Sequence, residues 1–335
     1  MKRRTAILTG IVAGFIVFGG SVHAQNTYEG AAIISSHGYD GCIELSNTTA
    51  RVVLEPNYGG RVLVYEIDGI NALYIDPTQN GYVFGQDNRR VDICAGRFDI
   101  GPEIGKPDRR DLWSGSYKAE ITGPRKARMT SKEDQSSGVQ LIRDFELAKD
   151  SSKLLCTQTI RNHSDSTVRY FHWSRTLADG HGIIVVPLTP WGKYPAGYML
   201  YGDNRMLITN PEPHESIDVR DGFLVVSDIP PRRKFAVDSY ENWLAYLIPT
   251  GVMFIKRFPT YPDRHYGELA GNTISLWYDT TVRCELEPIG PVEVLAPGEK
   301  ASYTEEWWLL KQDFPENRKA VDVKAVERTV MEETR

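Results

Sequence analysis

The feature that most constrains this chain is a two-residue alternation of apolar and polar side chains, repeated in short runs along most of its length. It is plain in Ala50-Arg-Val-Val-Leu-Glu and Arg61-Val-Leu-Val-Tyr-Glu-Ile, and again in Val139-Gln-Leu-Ile-Arg-Asp-Phe-Glu-Leu and Leu154-Leu-Cys-Thr-Gln-Thr-Ile. Successive side chains of a strand point to opposite faces, so each such run can bury one face and wet the other. Lys149-Asp150-Ser151-Ser152 reads as a hairpin turn between the last two runs, and Asp68-Gly69 and Asp221-Gly222 punctuate others. Further strands are expected at 167–177, 182–187, 222–227, 243–248, 251–257, 273–278 and 301–310. Only the segment from Pro315 to about Met331 has helical spacing, with Ala320, Val323, Val326 and Val330 on one face. No linker, repeat or low-complexity tract divides the strands. The pattern predicts an all-β chain: one extended sandwich of two large antiparallel sheets over residues 25–313, then a helical tail over 314–335.

The first residues set the compartment. Lys2, Arg3 and Arg4 precede an apolar stretch from Ala6 to about Phe18, and small residues at Val22 and Ala24 suit cleavage before Gln25. This reads as a secretory signal peptide over residues 1–24, because the apolar core is short and no stop-transfer pattern follows. The mature protein is expected in the periplasm or outside the cell, as a monomer with no membrane attachment. Losing the three basic leader residues takes the formal net charge from -5 to about -8, which argues against nucleic acid as a partner. Cys42, Cys94, Cys156 and Cys284 are far apart and form no CxxC pair, so a zinc site is not expected. Cys156 and Cys284 sit in apolar runs and read as small buried hydrophobes. There is no GxSxG elbow, phosphate loop, dinucleotide fingerprint or HExxH, and no cofactor or catalytic metal is expected.

Chemistry concentrates near the C-terminus. Arg283-Cys-Glu-Leu-Glu-Pro reads as a strand, and Pro297-Gly298 as a turn into a second strand that ends at Trp307-Trp308. Glu285 and Glu287 are two apart and share a face, while Cys284 and Leu286 fill the other. Carboxylates in such a strand must face water, a partner or a substrate. The stretch 78–117 is less regular and rich in Gly, Asp, Arg and Pro, a composition more often functional than decorative in a compact β domain.

Ala50-Arg-Val-Val-Leu-Glu-Pro-Asn-Tyr-Gly-Gly-Arg-Val-Leu-Val-Tyr-Glu-Ile-Asp-Gly, followed by Asn71-Ala72-Leu73, resembles the opening hairpin of galactose-mutarotase-like proteins. Glu285-Leu-Glu-Pro-Ile-Gly-Pro with Leu295-Ala-Pro-Gly-Glu is similar to their close. The resemblance runs over most of residues 40–311 and points in particular to a bacterial domain family of unassigned function within that superfamily. It implies a β-supersandwich of the aldose 1-epimerase type. It also implies a late-strand Glu as base, here Glu287 or Glu285, and a central-strand His as acid, here His172 in Tyr170-Phe-His-Trp-Ser-Arg175. Anomeric interconversion needs both, one to take the O1 proton and one to protonate the ring oxygen. Alternation puts His172, Tyr170 and Ser174 on one side of that strand and Phe171, Trp173 and Arg175 on the other. The Asn-His-x-Tyr-Phe-Asn-Leu run of true mutarotases is missing; Asn162-His163 leads instead into a turn.

For binding, Arg97 is the first candidate and Arg61 the second, with Trp113 and Trp191 as stacking rings. The cluster Tyr261, Arg264 and His265 could close over a sugar or an anionic uronate. The expected function is an exported carbohydrate-binding protein, with epimerase-like chemistry as its enzymatic form. The alternatives are a non-catalytic carbohydrate-binding module, or a polysaccharide lyase or glycoside hydrolase acting on an anionic glycan. What separates them is whether Glu287, His172 and Arg97 converge in one pocket.

Overall fold

The alternating runs pair with their sequence neighbours as hairpins: Ala50–Glu55 with Arg61–Ile67, and Val139–Leu147 with Leu154–Asn162. The computed structural model describes residues 28–86, 91–104, 108–230, 232–279 and 283–335. Among these, 23 strands form two antiparallel sheets, one of 13 strands and one of 10. The leader expected over residues 1–24 lies outside the described residues. No described helix is long and apolar enough to cross a membrane.

The first hairpin shows how local chemistry sets a turn. Gly59 and Gly60 carry φ of +76° and +54°, a left-handed backbone that glycine adopts without steric cost. A Cβ on Gly60 would also lie 2.6 Å from the Tyr117 ring. The Gly-Gly-Arg turn is therefore closed to larger residues on two independent grounds.

Six strands of the larger sheet position the charged and aromatic side chains of the candidate site. In chain order they are β1 (Gly96–Gly101), β2 (Val168–Asp179), β3 (Met199–Tyr201), β4 (Lys234–Val237), β5 (Ile274–Tyr278) and β6 (Arg283–Pro288). Across the sheet they lie in the order β1-β2-β6-β5-β4-β3. Their inward faces carry Phe98, Ile100, Leu276, Tyr278, Cys284 and Leu286, packed against Tyr246, Phe254, Trp307 and Leu309 of the smaller sheet. Phe98 stacks on Trp307 with ring centroids 5.7 Å apart. All four cysteines are buried and carry free thiols.

A buried ion pair on adjacent strands of the smaller sheet faces this core. Lys256 Nζ lies 3.1 Å from Glu305 Oε2 and donates to Ser174 Oγ, Thr176 Oγ1 and the Leu286 carbonyl at 2.6, 2.9 and 3.1 Å. Both side chains are fully buried. The lysine ties the smaller sheet to the undersides of β2 and β6.

The two outer faces are finished differently. A C-terminal helix, Val323–Glu333, is capped by Asp322, whose carboxylate accepts from the Ala325 amide at 2.9 Å. Its Val323, Val326 and Val330 cover Ile183, Phe223, Trp243, Met253, Ile255 and Trp308 on the back of the smaller sheet. The outer face of the larger sheet is covered only in part: Phe171 and Trp173 pack with Tyr266 and Ile289, and Met199 and Ala236 with Tyr194, while between these two clusters the side chains of β1–β6 are charged and aromatic.

Candidate functional site

Strand register assembles the site. Arg175 on β2 lies opposite Arg97 on β1, and Trp173 opposite Asp99. Glu285 on β6 lies between Leu177 of β2 and Trp277 of β5. Glu287 faces Ser275, and Trp277 faces Lys234 of β4. Every second residue of these strands points outward, so Arg97, Asp99, Trp173, Arg175, Glu285, Glu287, Trp277 and Lys234 share one face. Trp113, on the short helix Arg110–Trp113, closes over it: its ring lies 4.9 Å from the Arg97 guanidinium and 5.0 Å from that of Arg175.

Arg175 is the hub. Its Nη2 and Nε lie 3.4 Å from Glu285 Oε1 and 3.2 Å from Glu287 Oε1, and its Nη1 lies 3.8 Å from Asp99 Oδ2. Arg97 pairs with the same Glu285 oxygen through Nη2, reaches Asp92 Oδ1 at 2.9 Å and donates from Nε to the Arg175 carbonyl at 3.0 Å. Arg109 grips Asp99 with both arms of its guanidinium, one of them at 2.6 Å. Lys234 Nζ meets Glu103 Oε2 at 3.0 Å and sits over the rings of Trp173 and Tyr201.

This network splits the two carboxyl groups. Burial alone would raise Glu285, but Arg175 and Arg97 outweigh it and pull its carboxyl down to about 2. Burial and the charge on Glu285 push Glu287 up to about 7, against the pull of Lys234 and Arg175. Burial also works against the charge on Lys234, yet Glu287 and Glu103 hold its ammonium above the ordinary value. Below about pH 7 the Glu285–Glu287 pair therefore holds one proton, which it gives up as the pH rises through that value.

A cleft of about 440 Å³ opens over this face, walled by Glu285, Arg175, Lys234, Tyr201, Trp277 and Glu103 among others. A second hollow of about 480 Å³, beside Trp113, Asp99 and Arg109, shares Asp92, Glu103 and Arg175 with it. Glu285 reaches the cleft wall, whereas Glu287 is wholly buried beneath. Among the described residues, no group of three or more His, Cys, Asp and Glu side chains is placed to hold a metal ion.

The structure brings together Glu285, Glu287, Arg97 and Trp113 from the residues singled out in sequence. It does not bring His172. That side chain faces inward, stacked on Tyr303 of the smaller sheet at 5.7 Å, and burial lowers its pKa to about 4 despite the opposing backbone of Ala301 and Gln158. The expectation of His172 as the acid is corrected accordingly: Phe171, Trp173 and Arg175 take the outward positions. Arg61 is also placed elsewhere. It is buried behind the first hairpin, 3.1 Å from Glu55 and donating to the Tyr39 hydroxyl at 3.0 Å and the Cys94 carbonyl at 3.3 Å. Arg264 and His265 line a separate cavity, Tyr261 packs at its loop, and Trp191 is exposed on Tyr240. Arg175, Asp99, Lys234, Trp173 and Trp277 were missed in sequence. The available signal was Arg175 itself, a charged residue on the face of its strand opposite His172.

No family model and no curated protein matches the sequence. Solved structures do match in fold. A protein from Synechocystis aligns with a TM-score of 0.56 at 15% identity, covering 83% of this chain and 99% of its own. A galactose mutarotase-like protein from Clostridium acetobutylicum aligns at 0.58 with 10% identity, covering 85% and 99%. A candidate aldose 1-epimerase from Escherichia coli K12 aligns at 0.54 with 12% identity, covering 80% and 98%. At these identities the likeness concerns architecture alone, and the architecture is the galactose mutarotase-like sandwich.

Proposed function

We propose that this protein binds a sugar in the cleft over β1–β6. The observation that carries the reading is the cleft wall itself: fixed guanidinium, ammonium and carboxylate groups beside the rings of Trp277 and Tyr201. Planar charged groups suit the fanned hydroxyls of a pyranose, and aromatic rings suit its apolar C–H face. Fold likeness to mutarotase-like proteins supports the same class of ligand. Among the described residues, Arg97, Arg109, Arg175, Lys234 and Arg283 each have a carboxylate partner, which favours a neutral sugar over a uronate.

The sequence of residues 1–24 supports export, and the reading is of an exported monomer. N-terminal sequencing of the protein recovered from a periplasmic or culture fraction should start at Gln25. The binding test is a thermal-shift and NMR panel of monosaccharides. A ligand at a hundredfold over its Kd adds about 2.7 kcal/mol to the folded state. Binding that disappears in Trp277→Ala supports the reading; a panel with no shift at all removes it.

A second reading is epimerase-type catalysis, favoured by the carboxyl pair and its single proton. Glu285 would accept the O1 proton while a proton from the pair reaches the ring oxygen. The C1–O5 bond then breaks to give the open-chain aldehyde, which rotates and recloses by the reverse steps. Magnetisation transfer between anomer signals tests it: exchange faster than the uncatalysed rate, and lost in Glu287→Gln, supports catalysis. An unchanged exchange rate leaves a binding protein.

A further inference from the structure

We propose that the sugar site extends into a second subsite built on Trp191 and Tyr240, so that the ligand is an oligosaccharide rather than a free monosaccharide. This rests on the reading of the central cleft as a sugar site.

Trp191 is 62% exposed, the most exposed of the large hydrophobic side chains singled out on the surface. It is nevertheless held in place. Its ring stacks on Tyr240 with centroids 5.0 Å apart and planes 26° apart. Tyr240 is braced edge-on by buried Tyr266 at 6.1 Å and 82°. The loop beneath is pinned as well: the Tyr240 amide donates to Thr189 Oγ1 at 2.7 Å, and Ser239 Oγ donates to the Pro187 carbonyl at 2.6 Å. An indole stacked in this way keeps its outer side open to solvent, and an exposed ring backed by a second ring suits the apolar face of a sugar.

Beside the platform lies a cavity of about 430 Å³ whose wall includes Tyr240, Lys193, Arg264 and His265. Glu268 and Leu269 line both this cavity and the central cleft. The two hollows are thus neighbours across one loop, and Leu269, 46% exposed, marks the crest between them. A chain of sugar units leaving the cleft over Leu269 arrives at the Tyr240–Trp191 platform. The cations here are matched as they are in the cleft: Arg264 Nη2 lies 2.9 Å from Glu293 Oε2, and Lys193 Nζ lies 3.3 Å from Asp238 Oδ1. The chemistry therefore points to a neutral oligosaccharide, with Lys193 and His265 at hand for its hydroxyls.

The test is calorimetric titration of the full chain with matched pairs: glucose and cellotetraose, galactose and galactotetraose, mannose and mannotetraose, xylose and xylotetraose. For the pair that binds, the tetrasaccharide should bind about tenfold or more tighter than its monosaccharide, about 1.4 kcal/mol. Trp191→Ala should remove that gain and leave monosaccharide affinity as it was, while Trp191→Tyr should keep most of it. Trp191 is exposed, so circular dichroism of the variants should match the parent. A monosaccharide that binds as tightly as its tetrasaccharide, or a gain that survives Trp191→Ala, overturns the second subsite and leaves the central site standing. A panel in which nothing binds removes both.

Discussion

Replacing Glu287 by Gln should make the protein more stable with rising pH relative to the parent, and the size of the effect comes from the geometry. Glu287 is wholly buried beside Glu285, and these two facts raise its carboxyl from 4.5 in the unfolded chain to about 7 in the fold. Between those pH values the folded state holds a proton that the unfolded state releases. Stability therefore falls as pH rises through this window, since the slope follows protons bound in the unfolded state minus those bound in the folded state. At about 1.4 kcal/mol for each pH unit, the full arm amounts to about 3 kcal/mol by pH 8. Glutamine keeps the protonated shape: its carbonyl can accept from Arg175 Nε, which lies 3.2 Å from Glu287 Oε1, and its amide can donate toward Glu285. The assay is urea unfolding of parent and Glu287→Gln at pH 4.5, 6, 7 and 8.5. The two free energies should converge at the acid end and separate by about 3 kcal/mol in favour of the variant at the alkaline end. Curves that stay parallel across the range would refute the account of a shared proton. Glu285 contributes with the opposite sign, because its folded value is depressed to about 2. Its stabilisation is complete above pH 4.5 and fades as pH falls toward 2, so it leaves the comparison above pH 4.5 undisturbed.

His172→Phe should leave sugar binding unchanged, measured by titration, because the imidazole is neutral at pH 7 and stacks in the core rather than facing the cleft. Lys256→Met should destabilise the fold by about 3–5 kcal/mol in urea unfolding by stranding the Glu305 carboxylate, and adding Glu305→Gln should recover a large part of that loss. Gly60→Ala should lower stability measurably in the same assay, since its φ of +54° and the Tyr117 ring both oppose a side chain.

The sandwich could be read from the sequence because its strands are short apolar-rich runs bounded by turn residues, some alternating, as in Val139–Leu147, and some apolar almost throughout, as in Trp243–Ile248. The strands expected at 167–177, 243–248, 251–257 and 301–310 are found at Val168–Asp179, Trp243–Ile248, Val252–Arg257 and Lys300–Lys311. The helix expected from Pro315 begins later, at Val323: a short 3₁₀ helix over Arg318–Ala320 comes first, and the α-helix starts only after the Asp322 cap. The strand Gly96–Gly101 was hidden in the irregular region 78–117: with glycine at both ends and Arg97 and Asp99 within, its composition matches a loop. Its polar residues are tolerated in a buried strand only because Arg109, Arg175 and Glu285 lie within reach, a tertiary fact. Ala31–Ser36 and Tyr39–Ser46 were obscured in the same way by Gly38, Asp40 and Gly41.

The candidate site divides along the same line. Glu285 and Glu287 on one face of β6 follow from spacing alone. Which face of β2 looks outward does not, because that strand is buried on both sides through Tyr170–Ser174. Alternation separated His172 from Arg175 correctly, but it carried no information on which of them met the carboxylates. Only the pairing of β2 between β1 and β6 settles that, and it places Arg175 there.

The most direct test of the central claim is calorimetric titration of the sugar identified by the panel into the parent protein and into Arg175→Met. Arg175 touches Glu285, Glu287 and Asp99 and lines the cleft, so its loss should abolish binding in a protein that still unfolds cooperatively. Undiminished affinity in a folded Arg175→Met would place the sugar elsewhere and contradict a binding site over β1–β6.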